Sequence, residues 1–226
     1  MKGKNIAIVP VLLVIVAVLV SPIIIVRATA GVETLITTNA TGSDQVAPAI
    51  SGNWIVWEDT RNGGSDIYTY NVVTGQERNI TPAGSWAQSP AISGTRVTWQ
   101  DYRNGNYDIY LHDLTTQLET RITSDPADQT APAIDGTKIV WQDLRNGMYD
   151  VYLYNTSTGN ETLLSPGTET SDQKYPALSG NLVVWQDNRN GSDDIFLNDT
   201  STGILYNLTP NTLSSDQIKP AIRVQW

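Results

Sequence analysis

Trp141-Gln142-Asp143-Leu144-Arg145-Asn146-Gly147-Met148-Tyr149-Asp150-Val151-Tyr152 is one of four near-copies of a single stretch. The others run from Trp57 to Tyr68, from Trp99 to Tyr110 and from Trp185 to Phe196. Outward from each copy the match continues. A Pro-Ala pair stands ahead of it at Pro48, Pro90, Pro132 and Pro176, and once more at Pro220, in steps of 42, 42, 44 and 44 residues. Equal spacing along a chain means an array of one structural unit. A period in the low forties fits either a pair of helices or a four-stranded propeller blade. Composition separates the two. Each unit is rich in Val, Ile, Thr, Tyr and Trp and is broken at short intervals by turn residues, the pattern of short strands. No stretch carries an apolar period of 3.6 over a helical length, so helical solenoids are excluded.

One unit reads as four strands: a brief one around Pro132-Ala133-Ile134 turned by Asp135-Gly136, then Lys138 to Asp143, Asp150 to Tyr154, and Glu161 to Leu164 after Thr158-Gly159. The second strand puts Ile139 and Trp141 on one face and Val140 on the other, and Ile55-Val56-Trp57 and Val183-Val184-Trp185 repeat this. A sheet apolar on both faces is one packed between two neighbours, as a propeller blade is. Trp57, Trp99, Trp141 and Trp185 then form the packing between blades. The fold expected is an all-β propeller of four-stranded antiparallel blades. Residues 31–226 form it, in units of about 48–89, 90–131, 132–175 and 176–219. The partial unit 220–226 is completed by 33–38, whose Glu33-Thr34-Leu35-Ile36-Thr37 resembles a fourth strand. That composite makes a fifth blade without a third strand, and its free edge would accept a partner strand. An open four-blade array is the alternative.

Residues 1–30 are of another kind. Lys2 and Lys4 precede 21 uncharged residues from Ile6 to Val26, followed by Ala28-Thr29-Ala30. As a helix this run is about 31 Å long, enough to cross a bilayer. A cleaved signal peptide with Gly31 as the new N-terminus and an uncleaved membrane anchor both fit, and both place the remainder outside the cytoplasmic membrane. The formal net charge is −9. Lys2, Lys4 and Arg27 are the only charges before Gly31, so the rest carries −12. That balance argues against nucleic acid and anionic lipid surfaces as partners. Cysteine is absent, which excludes disulfides, thiolate metal sites and a cysteine nucleophile. Sequons at Asn39, Asn79, Asn155, Asn160, Asn190, Asn198 and Asn207 are candidate glycosylation sites.

The unit P-A-I-S-G-x-x-V-x-W-x-D-x-R-N-G-x-x-D-I-Y, closing on an I-T or L-T strand, resembles TolB-type and WD-like propeller repeats of exported proteins. It resembles in particular the repeat of large surface proteins of methanogenic archaea. The likeness covers Glu33 to Trp226. It implies a propeller in an extracytoplasmic setting that serves as an interaction platform; fold does not fix function.

Three sets of residues are weighed for chemistry. The first is the loop of Asp59, Arg61, Asn62, Gly63 and Asp66 with its copies at Asp101 and Arg103, Asp143 and Arg145, and Asp187 and Arg189. Asn-Gly suits positive-φ positions in tight turns. Arg paired with Asp makes a self-satisfied loop. Calcium on the same oxygens is the competing reading, although the spacing departs from a calcium loop and an arginine stands at a ligand position. The second set is Asp44-Gln45, Asp128-Gln129, Asp172-Gln173 and Asp216-Gln217, three to four residues ahead of their prolines, with Trp86 replacing the acid in the second unit. Such connections gather at one mouth of a propeller. There they either cap loops or present a binding face for a glycan, a peptide or a cation. The third is His112, the only histidine, read as a surface strand position where other units carry Thr69, Tyr154 and Asn198. No nucleophile elbow, phosphate loop or zinc motif is present. A non-catalytic binding module for protein or glycan is therefore expected. A glycoside hydrolase using the mouth carboxylates is the alternative.

Overall fold

The computed structural model describes residues 13–17, 24–28, 33–37, 42–82, 85–165, 170–210 and 217–223. The first three strands are β1 (Leu13–Ala17), β2 (Ile24–Ala28) and β3 (Glu33–Leu35), paired antiparallel in that order. Four sheets of four strands follow. Blade 1 holds β4 (Gln45–Ser51), β5 (Trp54–Asp59), β6 (Asp66–Asn71) and β7 (Gln76–Asn79). Blade 2 holds β8 (Ala87–Ser93), β9 (Arg96–Asp101), β10 (Asp108–Asp113) and β11 (Leu118–Arg121). Blade 3 holds β12 (Gln129–Asp135), β13 (Lys138–Asp143), β14 (Asp150–Asn155) and β15 (Asn160–Leu163). Blade 4 holds β16 (Gln173–Ser179), β17 (Leu182–Asp187), β18 (Asp194–Asp199) and β19 (Ile204–Asn207). Each is an antiparallel meander, and the first strands β4, β8, β12 and β16 lie side by side.

The core is a series of inter-blade layers. Trp57, Trp99, Trp141 and Trp185 are each fully buried. Each stacks on the aromatic residue opposite it on the third strand, at 5.9 to 6.5 Å between ring centroids. Trp141 shares a cluster with Ile109 and Ile122 of blade 2, whereas Val140, pointing the other way, shares one with Trp185 of blade 4. The alternation read from the sequence therefore places each second strand between two neighbours.

Three expectations need correction. The apolar leader, read as a helix, carries strands β1 and β2 among its described residues. A run so rich in Val and Ile suits a ladder, and no helix among the described residues is long and apolar enough to cross a membrane. Ala28-Thr29-Ala30 lies mostly outside the described residues. Second, Glu33–Leu35 pairs with Ile24–Val26, not with the segment after Pro220, where residues 220–223 form no strand. The composite fifth blade does not form among the described residues. Even so, Ile36 packs on Trp57 as Ile80 packs beside Trp99, so this segment does occupy the place of a preceding outer strand. Third, the innermost strand is longer than the Pro-Ala-Ile core suggested. It begins at the glutamine in blades 1, 3 and 4 and at Ala87 in blade 2, and it carries a bulge, with register shifts such as that between Thr130 and Ala133.

The bulge stitches the blades. The residue before each proline, Ala47, Ser89, Ala131, Tyr175 or Lys219, has φ between 49° and 54°, a left-handed conformation unfavourable for non-glycine residues. It turns the backbone N–H toward the preceding blade. Ala131 donates to Gln100 Oε1 at 2.8 Å and Tyr175 to Gln142 Oε1 at 2.9 Å. Ser89 and Lys219 donate to Glu58 and Gln186 at 3.4 Å. Lys219 thus docks on blade 4 as the first residues of a further innermost strand would.

His112 is 7 % exposed, not a surface residue, and neither ring nitrogen has a partner. The register aligns it with Tyr70 rather than Thr69, since Val97 faces His112 as Ile55 faces Tyr70. Burial pushes its imidazole below the ordinary value, against the opposing fields of Glu119 and Asp113. The unfolded chain therefore takes up the proton first as pH falls, and stability drops below the unfolded histidine's value of about 6.5. His112→Tyr, the residue of blades 1 and 3, should reduce the loss of melting temperature between pH 7.5 and 5.5 by a few degrees. An unchanged pH dependence would show that this ring does not set it.

Candidate functional site

The Asp-x-Arg-Asn-Gly loops and the Asp-Gln connections lie at the same end of the blades. Gln129 opens β12 opposite Asp143, which closes β13, and Leu144 donates its backbone N–H to Asp128 O at 3.0 Å. Thr60 with Asp44, Tyr102 with Trp86, and Asn188 with Asp172 repeat that bond. Together these loops form one mouth of the array.

Within the first set, most polar groups are used internally; Arg103 Nε, Arg145 Nε and Asp108 Oδ1 are buried without a hydrogen-bond partner. Asp59, Asp101, Asp143 and Asp187 are fully buried. One oxygen accepts the indole N–H of the tryptophan two residues earlier at 2.8 to 3.0 Å. The other accepts the backbone N–H of the arginine. Arg61, Arg103, Arg145 and Arg189 each reach the same carboxylate at 2.5 to 2.6 Å. They also lie over Tyr68, Tyr110, Tyr152 and Phe196 at 4.2 to 4.6 Å. In the first three blades the guanidinium continues to Glu77, Glu119 and Glu161. Burial alone would raise Asp59, but the hydrogen bonds from Arg61 and Trp57 outweigh it and hold the carboxyl below its usual range. Both oxygens of Asp59, Asp101, Asp143 and Asp187 accept such bonds, whereas Asp108 Oδ1 accepts none. The loop asparagines hold the next aspartate in the same way, as Asn62 does Asp66 at 2.7 Å.

The second set divides. Gln45, Gln129 and Gln173 are 0 to 2 % exposed, and Oε1 of Gln129 and of Gln173 has no hydrogen-bond partner. Their amides close their own loops on Ser43, Ala127 and Ser171, because the first residue of an innermost strand is covered on both sides. Asp128 and Asp172 accept the backbone N–H of Tyr107 and Tyr149 at 2.9 and 3.0 Å, and Asp172 also pairs with Lys174 at 2.5 Å. Asp44 is exposed. Asp216 lies outside the described residues, while Gln217 donates its N–H to Asp193 O. Trp86 is 56 % exposed.

Around Trp86 the repeat departs from itself, and here reading by motif missed four residues. Tyr102 stands where other blades have Thr60, Leu144 and Asn188, and is 44 % exposed. Its ring meets Tyr107 edge-on at 5.0 Å. Tyr107 Oη donates to Gln88 Oε1 at 3.0 Å. Glu58 replaces the glutamine found at Gln100, Gln142 and Gln186. Burial, then the fields of Asp128 and Glu58, push the Tyr107 phenol above its ordinary value. A signal was available at Glu58 and Tyr102, where blades 1 and 2 break the repeat, but not at Tyr107, which blade 3 matches with Tyr149.

The sequons also divide. Asn79, Asn190 and Asn207 donate their amide nitrogens to Asp66 and Asp194, and Asn198 is buried. Asn155 and Asn160 flank an exposed turn, and Asn39 lies outside the described residues.

No family model and no curated protein matches the chain. Solved structures do. A TolB from Acinetobacter baumannii is 22 % identical with a TM-score of 0.62, over 86 % of this chain and 50 % of its own. A putative TolB from Agrobacterium tumefaciens is 20 % identical with a TM-score of 0.64, over 83 % and 73 %. A puromycin-hydrolyzing peptidase of Mycobacterium tuberculosis is 16 % identical with a TM-score of 0.65, over 82 % of this chain and 32 % of its own. The chain thus spans half of the first of these proteins. At such identities the likeness concerns the fold, and the fold is that of a TolB-type β-propeller built from four-stranded antiparallel blades.

Proposed function

We propose that this chain is an extracytoplasmic, non-catalytic propeller module of a cell surface that binds a protein or glycan partner at the mouth of blades 1 and 2. The observation that carries it is the exposed Trp86, whose backbone carbonyl accepts the N–H of the exposed Tyr102, with Tyr107 edge-on to Tyr102 and the carboxylates of Glu58 and Asp128 near Tyr107. A monomer exposes single apolar residues freely, but an aromatic group of this size rimmed by polar side chains marks a contact surface. The likeness of the repeat to methanogen surface proteins and the apolar leader support the location. Two mouth acids, Asp128 and Asp172, already hold backbone N–H groups in place, which favours binding over hydrolysis.

Trp86→Ala should lower affinity for the partner at least tenfold, as removal of a central aromatic contact does, with melting unchanged because the ring is in solvent. A glycan array and pull-down from the native envelope, each with the variant alongside, measure this. Unchanged binding would refute the site. Release of reducing ends from a bound glycan would instead establish the hydrolase.

A further inference from the structure

At the opposite end of the strands, blades 3 and 4 part around a groove of about 590 Å³. That is within the range of small-molecule sites. Its floor is apolar, from Leu153 and Leu164 of blade 3 and Leu205 of blade 4, and its sides carry amides and hydroxyls, among them Asn160, Thr162 and Asn198. Asn198 is 8 % exposed, and its Oδ1 has no hydrogen-bond partner. A buried acceptor left without a donor is costly, so this atom has capacity for a ligand hydroxyl.

The groove has a physical origin in the sequence. The equivalent gap between blades 1 and 2 measures about 270 Å³. There Arg78 of blade 1 donates to Gln117 Oε1 of blade 2 across the opening. Strand register places Thr162 at the position of Arg78 and Gly203 at that of Gln117. Two short residues replace the bridge, and the gap opens. Among the described residues Lys138 is the only charged one lining it. Its ammonium is spent on blade 4, donating to Gly180 O, Asn181 Oδ1 and Thr200 Oγ1 at 2.7 to 3.2 Å.

From this geometry we infer that the groove between blades 3 and 4 binds a short uncharged saccharide, independently of the mouth. Sugar C–H faces rest on the leucines, and hydroxyl groups meet the amides and hydroxyl of Asn160, Thr162 and Asn198. Among the described residues no carboxylate lines the groove to attract a cation, and the single ammonium has no N–H left to seat an anion.

The test is calorimetric titration of the whole protein with maltotriose, cellotriose, mannotriose and chitotriose, with trigalacturonate as the acidic control. Two variants accompany it. Asn198→Leu removes the acceptor. Thr162→Arg with Gly203→Gln installs the bridge of blades 1 and 2. Gly203 has φ of 72° with nothing within 4 Å of an added Cβ, and Gln117 itself sits at φ of 60°, so the double variant should fold. At least one neutral trisaccharide should bind saturably. The double variant and Asn198→Leu should each weaken it at least tenfold, and Trp86→Ala should leave it unchanged. Absence of binding across the neutral panel, preference for trigalacturonate, or binding that survives the bridge would overturn the inference. Loss in Trp86→Ala alone would do so as well, by placing the sugar at the mouth.

Discussion

Trp141→Ala should destabilise the protein by about 3–5 kcal/mol, lowering its melting temperature by about 6–20 °C for a chain of this size. The indole is wholly buried. It stacks on Tyr152 with centroids 6.1 Å apart and planes 15° from parallel, and it packs against Ile109 of the preceding blade. Truncation therefore removes contacts on two blades at once. It also leaves Asp143 Oδ2 without the donor that now lies 2.8 Å away. Trp141→Phe separates the two contributions. It restores most of the stacked surface while still omitting the N–H, so its loss should be less than half that of the alanine variant. Denaturant unfolding followed by near-ultraviolet circular dichroism measures both. A loss below about 1 kcal/mol for Trp141→Ala would mean that the tryptophans do not carry the inter-blade layers.

Those layers were readable because burial on both faces of β13 leaves a strong trace, with Ile139 and Trp141 on one side and Val140 on the other. The bounds of β13, Lys138 to Asp143, were read without error for the same reason. The bulge at Ala131 was not. A residue before proline favours extended backbone, so nothing local announces a φ of 52°. The conformation accompanies a hydrogen bond to Gln100 on another blade, a contact forty-two-periodic spacing alone does not reveal. His112, matched by sequence to Thr69, Tyr154 and Asn198 and expected at the surface, is buried, and strand register pairs it with Val97 as it pairs Tyr70 with Ile55. At the mouth, Asp-Gln looked like one functional pair. The strand begins between its two residues, so Gln129 is buried and Asp128 is not. An uncharged Val- and Ile-rich run satisfies the length rule for a helix and the composition rule for strands equally well, so the leader's secondary structure is not legible in its sequence.

Among the four equivalent aspartates, Asp187→Ala should be the most damaging. All four carboxylates are fully buried beside a tryptophan and an arginine. Removing one leaves an indole N–H without an acceptor and a part-buried guanidinium without its counter-ion, a loss of about 3–5 kcal/mol where a buried pair is broken. The blades differ in what remains. Arg61, Arg103 and Arg145 keep Glu77, Glu119 and Glu161. In blade 4 that position is Leu205, which faces Asn198 as Glu161 faces Tyr154, and among the described residues Arg189 is salt-bridged to Asp187 alone. The guanidinium also lies over Phe196, which lacks the hydroxyl through which Tyr152 binds Asn146. Asp143→Ala should therefore cost less than Asp187→Ala by about 1 kcal/mol or more, the worth of a hydrogen bond to a charged group. Adding Arg189→Ala to Asp187→Ala should recover part of the loss, because the stranded charge goes with it; coupling energies of about 0.5–3 kcal/mol are usual for residues in contact. Equal losses at Asp143 and Asp187, or no recovery in the double variant, would mean that the indole bond and not the ion pair is what the buried carboxylate sustains.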